Sequence, residues 1–249
     1  MNAYETDAFR VLAPAGAGSG PILILCEHAS ARLPAPWAWP AADRWLAETH
    51  WACDLGAAPL AEAAAEALAA PAVLSRFTRL LVDANRATHS ATLIRTQAEG
   101  RAIELNRHVP AAERRRRIDR YWQPYHEAVH EIATRWAAPV LLALHTFTPV
   151  LEGTRRDFDI GVLFDRDEAL ALGLADHLAG AGLSVRLNEP YSGKAGFIYS
   201  VNRHARQHGR RAVELEVSQD RAVDPAFRTE LVARLAAWPW RALWPSSPS

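Results

Sequence analysis

The sequence predicts an α/β fold of three layers: a mixed, mostly parallel sheet with helices on both faces. Two observations carry this reading. From residue 21 onward, short apolar runs alternate with helix-forming segments. Most of those runs are apolar at successive positions instead of every second one, as strands covered on both faces are. No repeat and no long linker interrupts residues 21–245, which read as one domain. A flexible lead-in is expected over 1–20, ending in Ala-Gly-Ala-Gly-Ser-Gly, and a disordered Ser/Pro tail over 246–249.

Each element follows from local sequence. Ile22–Cys26 is a buried-strand run that stops abruptly at Glu27-His28. Ala57–Ala70 is rich in alanine and leucine, carries Glu62 and Glu66 one turn apart, and ends at Pro71, which marks a helix. Val73-Leu74 and Leu80-Leu81-Val82 read as short strands, the second ending at Asp83-Ala84-Asn85-Arg86. One or two helices are expected over Ala111–Ala138, stopped by Pro139. Val140–Leu144 is a second buried run and also ends at a histidine, His145. The remaining pattern is a strand at Ile160–Phe164, a helix at Asp167–Gly180 and a strand at Ser184–Leu187. The later part of Ile198–Gln207 is helical, followed by a strand at Ala212–Val217 and a helix at Pro225–Trp238.

Composition narrows the function classes. Twenty-eight basic residues balance 28 acidic ones, which argues against a nucleic-acid partner bound by neutralising phosphates. Lys194 is the only lysine; the other basic residues are arginine, whose planar fork grips carboxylates. Two cysteines, Cys26 and Cys53, are too few for a disulfide scaffold. The polar start with Glu5 and Asp7 is unlike a signal peptide, and no apolar run approaches the ~20 residues of a membrane span. A cytoplasmic protein without a membrane partner is expected, with monomer and dimer both open.

Ligands in open α/β sheets sit beyond the carboxyl ends of the strands. Four expected strands end in chemically capable residues: Glu27-His28, Asp83-Asn85-Arg86, His145 and Glu214-Glu216. Two histidines and a carboxylate converging on one edge make a zinc site with a position left for water.

Five segments then resemble the N-formylglutamate amidohydrolase family: Cys-Glu-His-Ala-Ser at 26–30, Ser-Arg-Phe-Thr-Arg-Leu-Leu-Val-Asp-Ala-Asn-Arg at 75–86, His-Thr-Phe-Thr-Pro-Val-Leu at 145–151, Asn-Glu-Pro-Tyr-Ser-Gly at 188–193 and Glu-Leu-Glu-Val-Ser-Gln-Asp at 214–220. The resemblance implies the fold of zinc-dependent exopeptidases and one Zn²⁺. It implies hydrolysis of an N-acylated acidic amino acid, nominally N-formyl-L-glutamate, an intermediate of histidine breakdown, to glutamate and formate. By the same resemblance, His145 stands at a zinc ligand, Asn85-Arg86 at a substrate-carboxylate grip, and Glu216 at the general base. One departure matters: where exopeptidases have His-x-x-Glu, His28 is followed by Ala31. Asp83 is therefore the first choice for the third ligand and Glu27 the second, with an ion pair to Arg79 or Arg86 as the other reading of Asp83. The resulting mechanism has water activated by zinc on His28, His145 and a carboxylate, and Glu216 carrying its proton. Arg86, with Arg79 and Arg203, clamps the small-molecule carboxylate substrate. Tyr191 or Lys194 assists at the oxyanion, against the reading of Lys194 as a solvated surface lysine.

A second reading competes. His126-Glu127-Ala128-Val129-His130 is a literal His-Glu-x-x-His, which on a helix sets two imidazoles one turn apart for a zincin-type metallopeptidase. Its charged surroundings and the lack of a downstream His-x-x-Gly-x-x-His extension argue against it. A third reading, a non-catalytic carboxylate-binding domain, stays open because of Ala31. Trp37 and Trp39 are candidates for lining the site mouth, and Cys26 reads as inert core.

Overall fold

The continuous apolar runs fold as inner strands of an eight-stranded sheet, where only apolar side chains can be buried on both sides. The computed structural model describes residues 1–14, 20–151, 153–180 and 182–243. Its strands are β1 (Asn2–Glu5), β2 (Phe9–Ala13), β3 (Ile22–Cys26), β4 (Ala72–Ser75), the hairpin β5 (Gln97–Ala98) and β6 (Arg101–Ala102), β7 (Val140–Phe147), the hairpin β8 (Val150–Leu151) and β9 (Thr154–Arg155), β10 (Ile160–Leu163), β11 (Val185–Leu187) and β12 (Arg211–Ser218). The sheet order is β1-β2-β4-β3-β7-β12-β10-β11. Strands β4, β3, β7 and β12 are mutually parallel, β2 and β10 run antiparallel to that block, and β11 is parallel to β10. The chain is thus a mixed, mostly parallel α/β sheet.

The helices are α1 (Ala57–Ala67), α2 (Ala111–Arg117), α3 (Gln123–Arg135), α4 (Glu168–Ala179), α5 (Tyr199–His208), α6 (Gln219–Ala222) and α7 (Pro225–Ala237). A π-helical turn, Ile118–Trp122, joins α2 to α3. Side-chain alternation along the strands sends Ile22, Ile24, Leu142, Leu144, Val213 and Leu215 to one face, against α1, α4 and α7. Leu23, Leu25, Leu141 and Ala143 go to the other, against Tyr125 and Val129 of α3 and Val201 of α5. Three layers result.

Two expectations need correction. Residues 2–13, expected in a lead-in, form β1 and β2, and β2 pairs antiparallel with β4 and buries Val11 and Leu12. Residues 15–19 and the tail at 246–249 lie outside the described residues. Leu80–Val82 is not a strand: β4 is already flanked by β2 and β3, so the segment that follows it has no place beside it. The carbonyls of Leu80 and Leu81 instead accept from the side chains of Asn106 (2.8 Å) and Arg117 (3.2 Å), both buried. Among the described residues no helix is long and apolar enough to cross a membrane.

Candidate active site

The parallel strands β3, β7 and β12 bring their carboxyl ends to one edge of the sheet. His28 follows β3, His145 lies within β7, and Glu216 of β12 stands in register with His145. Between the two imidazoles lies a carboxylate absent from the expected set, Asp54. Its Oδ2 is 2.9 Å from His145 Nδ1 and 3.4 Å from His28 Nδ1, and it accepts from the Thr146 backbone N–H at 3.2 Å. The Asp54 N–H in turn donates to the His28 carbonyl at 3.0 Å. Gly56, which caps α1, fixes this turn. Its φ is +85°, and a Cβ there would lie 2.7 Å from the Ala222 backbone, so both conformation and close approach demand glycine.

The outer nitrogens of both rings are also held. His28 Nε2 is 2.8 Å from Asp83 Oδ1, and His145 Nε2 is 2.9 Å from Glu27 Oε2. With Nε2–H donating to these carboxylates, a neutral ring turns its Nδ1 lone pair toward Asp54 and a protonated ring donates Nδ1–H to it, so this point accepts either protons or a cation. Donor atoms of His28, Asp54 and His145 fall within 4.8 Å of one another, as do those of His145, Glu214 and Glu216. The charge count agrees. Five carboxyl groups, Glu27, Asp54, Asp83, Glu214 and Glu216, are buried here, with Arg79 bonding Asp54 and Asp83 at 3.2 Å each. Glu27 Oε1, Glu214 Oε2 and Glu216 Oε2 are buried without a partner. Two imidazole nitrogens and a carboxylate oxygen, among five buried carboxyl groups, fit a divalent cation of zinc's preferences.

Burial and charge set the protonation of these groups. Burial pushes Glu216 well above the usual carboxylate range, and it pushes Glu214 up to about 7, helped by the charges of Glu27 and Asp54. Burial works the same way on Asp83, but His28 and Arg79 outweigh it and hold that carboxyl well below its ordinary value. For His145, burial is outweighed by Glu214, Asp54 and Glu27, which raise the imidazole well above its usual range.

The cluster forms the floor of a cleft of about 200 Å³. Arg79, Asn85, Arg86, Tyr191 and Glu216 of the expected set line it, together with His50, Trp51, Arg95 and Phe197. Asn85 spends its side chain on backbone, donating to the Phe197 carbonyl at 3.2 Å and accepting from Ser200 N–H at 2.9 Å, so it anchors the 197–200 wall. Tyr191 stacks on Phe197, centroids 5.6 Å apart.

Other expected residues lie elsewhere. Asp83 and Glu27, the two choices for third ligand, sit at the outer nitrogens, while Asp54 occupies the inner position. Arg203 is exposed on α5, donates to Tyr199 Oη and covers Trp122; Lys194 is exposed near Glu168. Neither lines the cleft. Trp37 packs on Tyr121 and donates to Glu113, and Trp39 packs in a separate cluster; Trp51 lines the mouth instead. In the His-Glu-x-x-His segment the two rings serve different partners. His126 is buried between His204 and the Ala84 carbonyl, whereas His130 is exposed beside His208, and Glu127 bonds Gln123. Neither belongs to a metal-capable group of three among the described residues. Asp54 was overlooked because Asp-Leu-Gly before a helix reads as an ordinary cap. No sequence signal marks it; its place comes from the chain closing on His28, whose carbonyl accepts from the Asp54 N–H.

Residues 20–222 match the family described as FGase, N-formylglutamate amidohydrolase. Among solved structures, gene product Atu2144 from Agrobacterium tumefaciens is 31% identical with a TM-score of 0.86, over 96% of this chain and 95% of that one. The N-formylglutamate amidohydrolase from Ralstonia eutropha JMP134 is 21% identical with a TM-score of 0.71, over 96% of this chain and 98% of that one, a likeness of fold. No curated protein matches the sequence.

Proposed function

The chain belongs to the N-formylglutamate amidohydrolase family, and from that premise we propose that it hydrolyses the amide bond of an N-acylated amino acid, nominally N-formyl-L-glutamate, with one divalent ion, zinc by preference. The observation that carries this reading is the convergence of His28, Asp54 and His145 beneath a cleft that also holds Glu216 and Arg86.

In this reading His28, Asp54 and His145 hold the ion, and Asp83 and Glu27 orient the two rings from behind. When bound, the ion supplies Lewis acidity and lowers the pKa of water from about 15.7 to about 7. Glu216 takes the proton of the attacking water and returns it to the nitrogen as the carbon–nitrogen bond breaks. Its raised pKa suits a group that both takes and returns a proton: burial favours the protonated form, and the positive charge of His145 and Arg79 favours the carboxylate. Arg86 grips the α-carboxylate. Arg79 presents its remaining edge to the oxygen that gains charge, held there by Asp54 and Asp83.

The test is an assay of the purified chain against N-formyl, N-acetyl and N-succinyl amino acids, before and after chelation. Hydrolysis of an N-acyl substrate, lost on chelation and restored by Zn²⁺, is expected. A panel that is inert with zinc supplied overturns the reading.

A further inference from the structure

The His-Glu-x-x-His segment of α3 has a counterpart on α5. His126 and His130 stand one turn apart on the first helix, and His204 and His208 stand one turn apart on the second. The two helices pack on the same face of the sheet, so the four rings meet as two cross-helix pairs. His126 Nδ1 lies 2.9 Å from His204 Nε2, and His130 Nδ1 lies 3.0 Å from His208 Nε2. His208 shares a surface hollow with Pro139 and Arg211, which places the outer pair near the amino ends of β7 and β12, opposite the cleft.

The two pairs differ in what they leave free. At the inner pair His126 Nε2 donates to the Ala84 carbonyl at 3.0 Å, so its Nδ1 accepts and His204 Nε2 carries the proton between them. That pair is buried, and its facing nitrogens are spent on one hydrogen bond. At the outer pair His130 is exposed and His208 half-buried, so an ion can arrive from solvent. Among the described residues no carboxylate bonds either outer ring. The Gln207 amide instead donates to His130 Nδ1 at 3.0 Å, which marks that nitrogen as a lone pair. Burial, with Arg210 and His130, lowers the His208 pKa, favouring the neutral ring, the form that binds metals.

Spacing and donor type select the ion. With metal–nitrogen bonds of about 2.0–2.1 Å, two nitrogens 3.0 Å apart subtend roughly 90° at a common ion, whereas a tetrahedral ion asks for about 3.3–3.4 Å. A right angle suits tetragonal Cu²⁺ and Ni²⁺, and imidazole donors without a carboxylate disfavour hard ions such as Mg²⁺. We propose that His130 and His208 form a second, peripheral metal site, a two-imidazole clamp across α3 and α5 for a divalent ion of the copper–nickel class. Gln207 lies beside it as a further polar contact, and solvent completes the coordination. The clamp shares no residue with the cluster beneath the cleft and does not depend on the hydrolase reading.

The experiment titrates Ni²⁺ calorimetrically into the untagged full chain carrying one equivalent of Zn²⁺. His130→Ala and His208→Ala are compared with the wild type and with His89→Ala, an exposed histidine outside both helices. Wild type and His89→Ala are expected to bind one equivalent of Ni²⁺, and each clamp variant to bind it at least tenfold more weakly. Mg²⁺ at the same concentration is expected to give no binding heat. The melting temperature supplies a second readout: Ni²⁺ raises it in the wild type, and the rise is lost in both clamp variants. His130 is exposed, so His130→Ala decides the matter if His208→Ala does not fold. Absence of Ni²⁺ binding by the wild type, wild-type affinity in His130→Ala, or an equal loss in His89→Ala overturns the clamp. Equal affinity for Mg²⁺ overturns the ion class.

Discussion

Replacing Asp54 and Asp83 in turn separates an inner donor from an outer one. Asp83 meets His28 only at Nε2 (2.8 Å), whereas Asp54 Oδ2 faces Nδ1 of both rings. Asp83→Asn keeps an oxygen that can accept the ring N–H but removes the charge that makes the imidazole a better donor. Losses of 10- to 100-fold in metal affinity are typical of such outer partners, about 1.4 to 2.7 kcal/mol. Asp54→Ala deletes one of three protein donors and leaves the Nδ1 atoms without their common partner, so its loss is expected to exceed 100-fold. Affinity for Zn²⁺ is measured by competition with a chromophoric chelator, and circular dichroism verifies that both variants are folded. The reverse order, with Asp54→Ala within tenfold of wild type and Asp83→Asn unable to bind, would refute the inner position of Asp54 and make Asp83 the ligand.

Two further predictions follow from the same geometry. Glu216→Gln is expected to retain one equivalent of Zn²⁺ while losing about 10²- to 10⁴-fold in kcat, since a proton carrier and not a donor is removed; wild-type turnover would move that role to Glu214. The buried His126–His204 pair (Nδ1 to Nε2, 2.9 Å) should make the fold acid-sensitive. Burial, with Arg203, pushes His204 down to about 3, and burial with His204 holds His126 well below its usual value. Both folded-state values lie below the unfolded one, so the unfolded chain binds more protons and stability falls as pH drops below about 6.5. For His204 alone the loss between pH 6.5 and 5 is about 2 kcal/mol. Urea denaturation across that window should show a correspondingly shallower slope for His204→Gln, and an identical slope would contradict the assignment.

The layered fold was legible because burial on both faces of a strand requires apolar residues at successive positions, as in Ile22–Cys26 and Val140–Leu144. His28, His145 and Glu216 were legible for a related reason: they interrupt or follow those runs where an open sheet binds ligands. The elements that failed depended on partners distant in sequence. Residues 9–13 form a strand because they pair with β4, and Leu80–Val82, which follows β4 in the chain, finds both sides of β4 taken by β2 and β3. Asp54 reaches the cluster from a loop, where no periodicity marks the direction of a side chain. Lys194 and Arg203 show the converse, since lying near a site segment in sequence does not put a long side chain inside the cleft.

The carboxylate–imidazole contacts at the cluster join residues 26, 55, 91 and 118 positions apart. No local fragment contains a complete donor set, so each such contact closes a long loop and forms only once β3, β7 and the 76–86 segment have docked. A cation held there belongs to the native state alone, and its binding energy adds to folding stability as RT ln(1 + [L]/Kd). Opening either side of the sheet disperses the donors at once. On the reading proposed above, metal binding is therefore linked to global folding, and the melting temperature of this chain would rise with free metal.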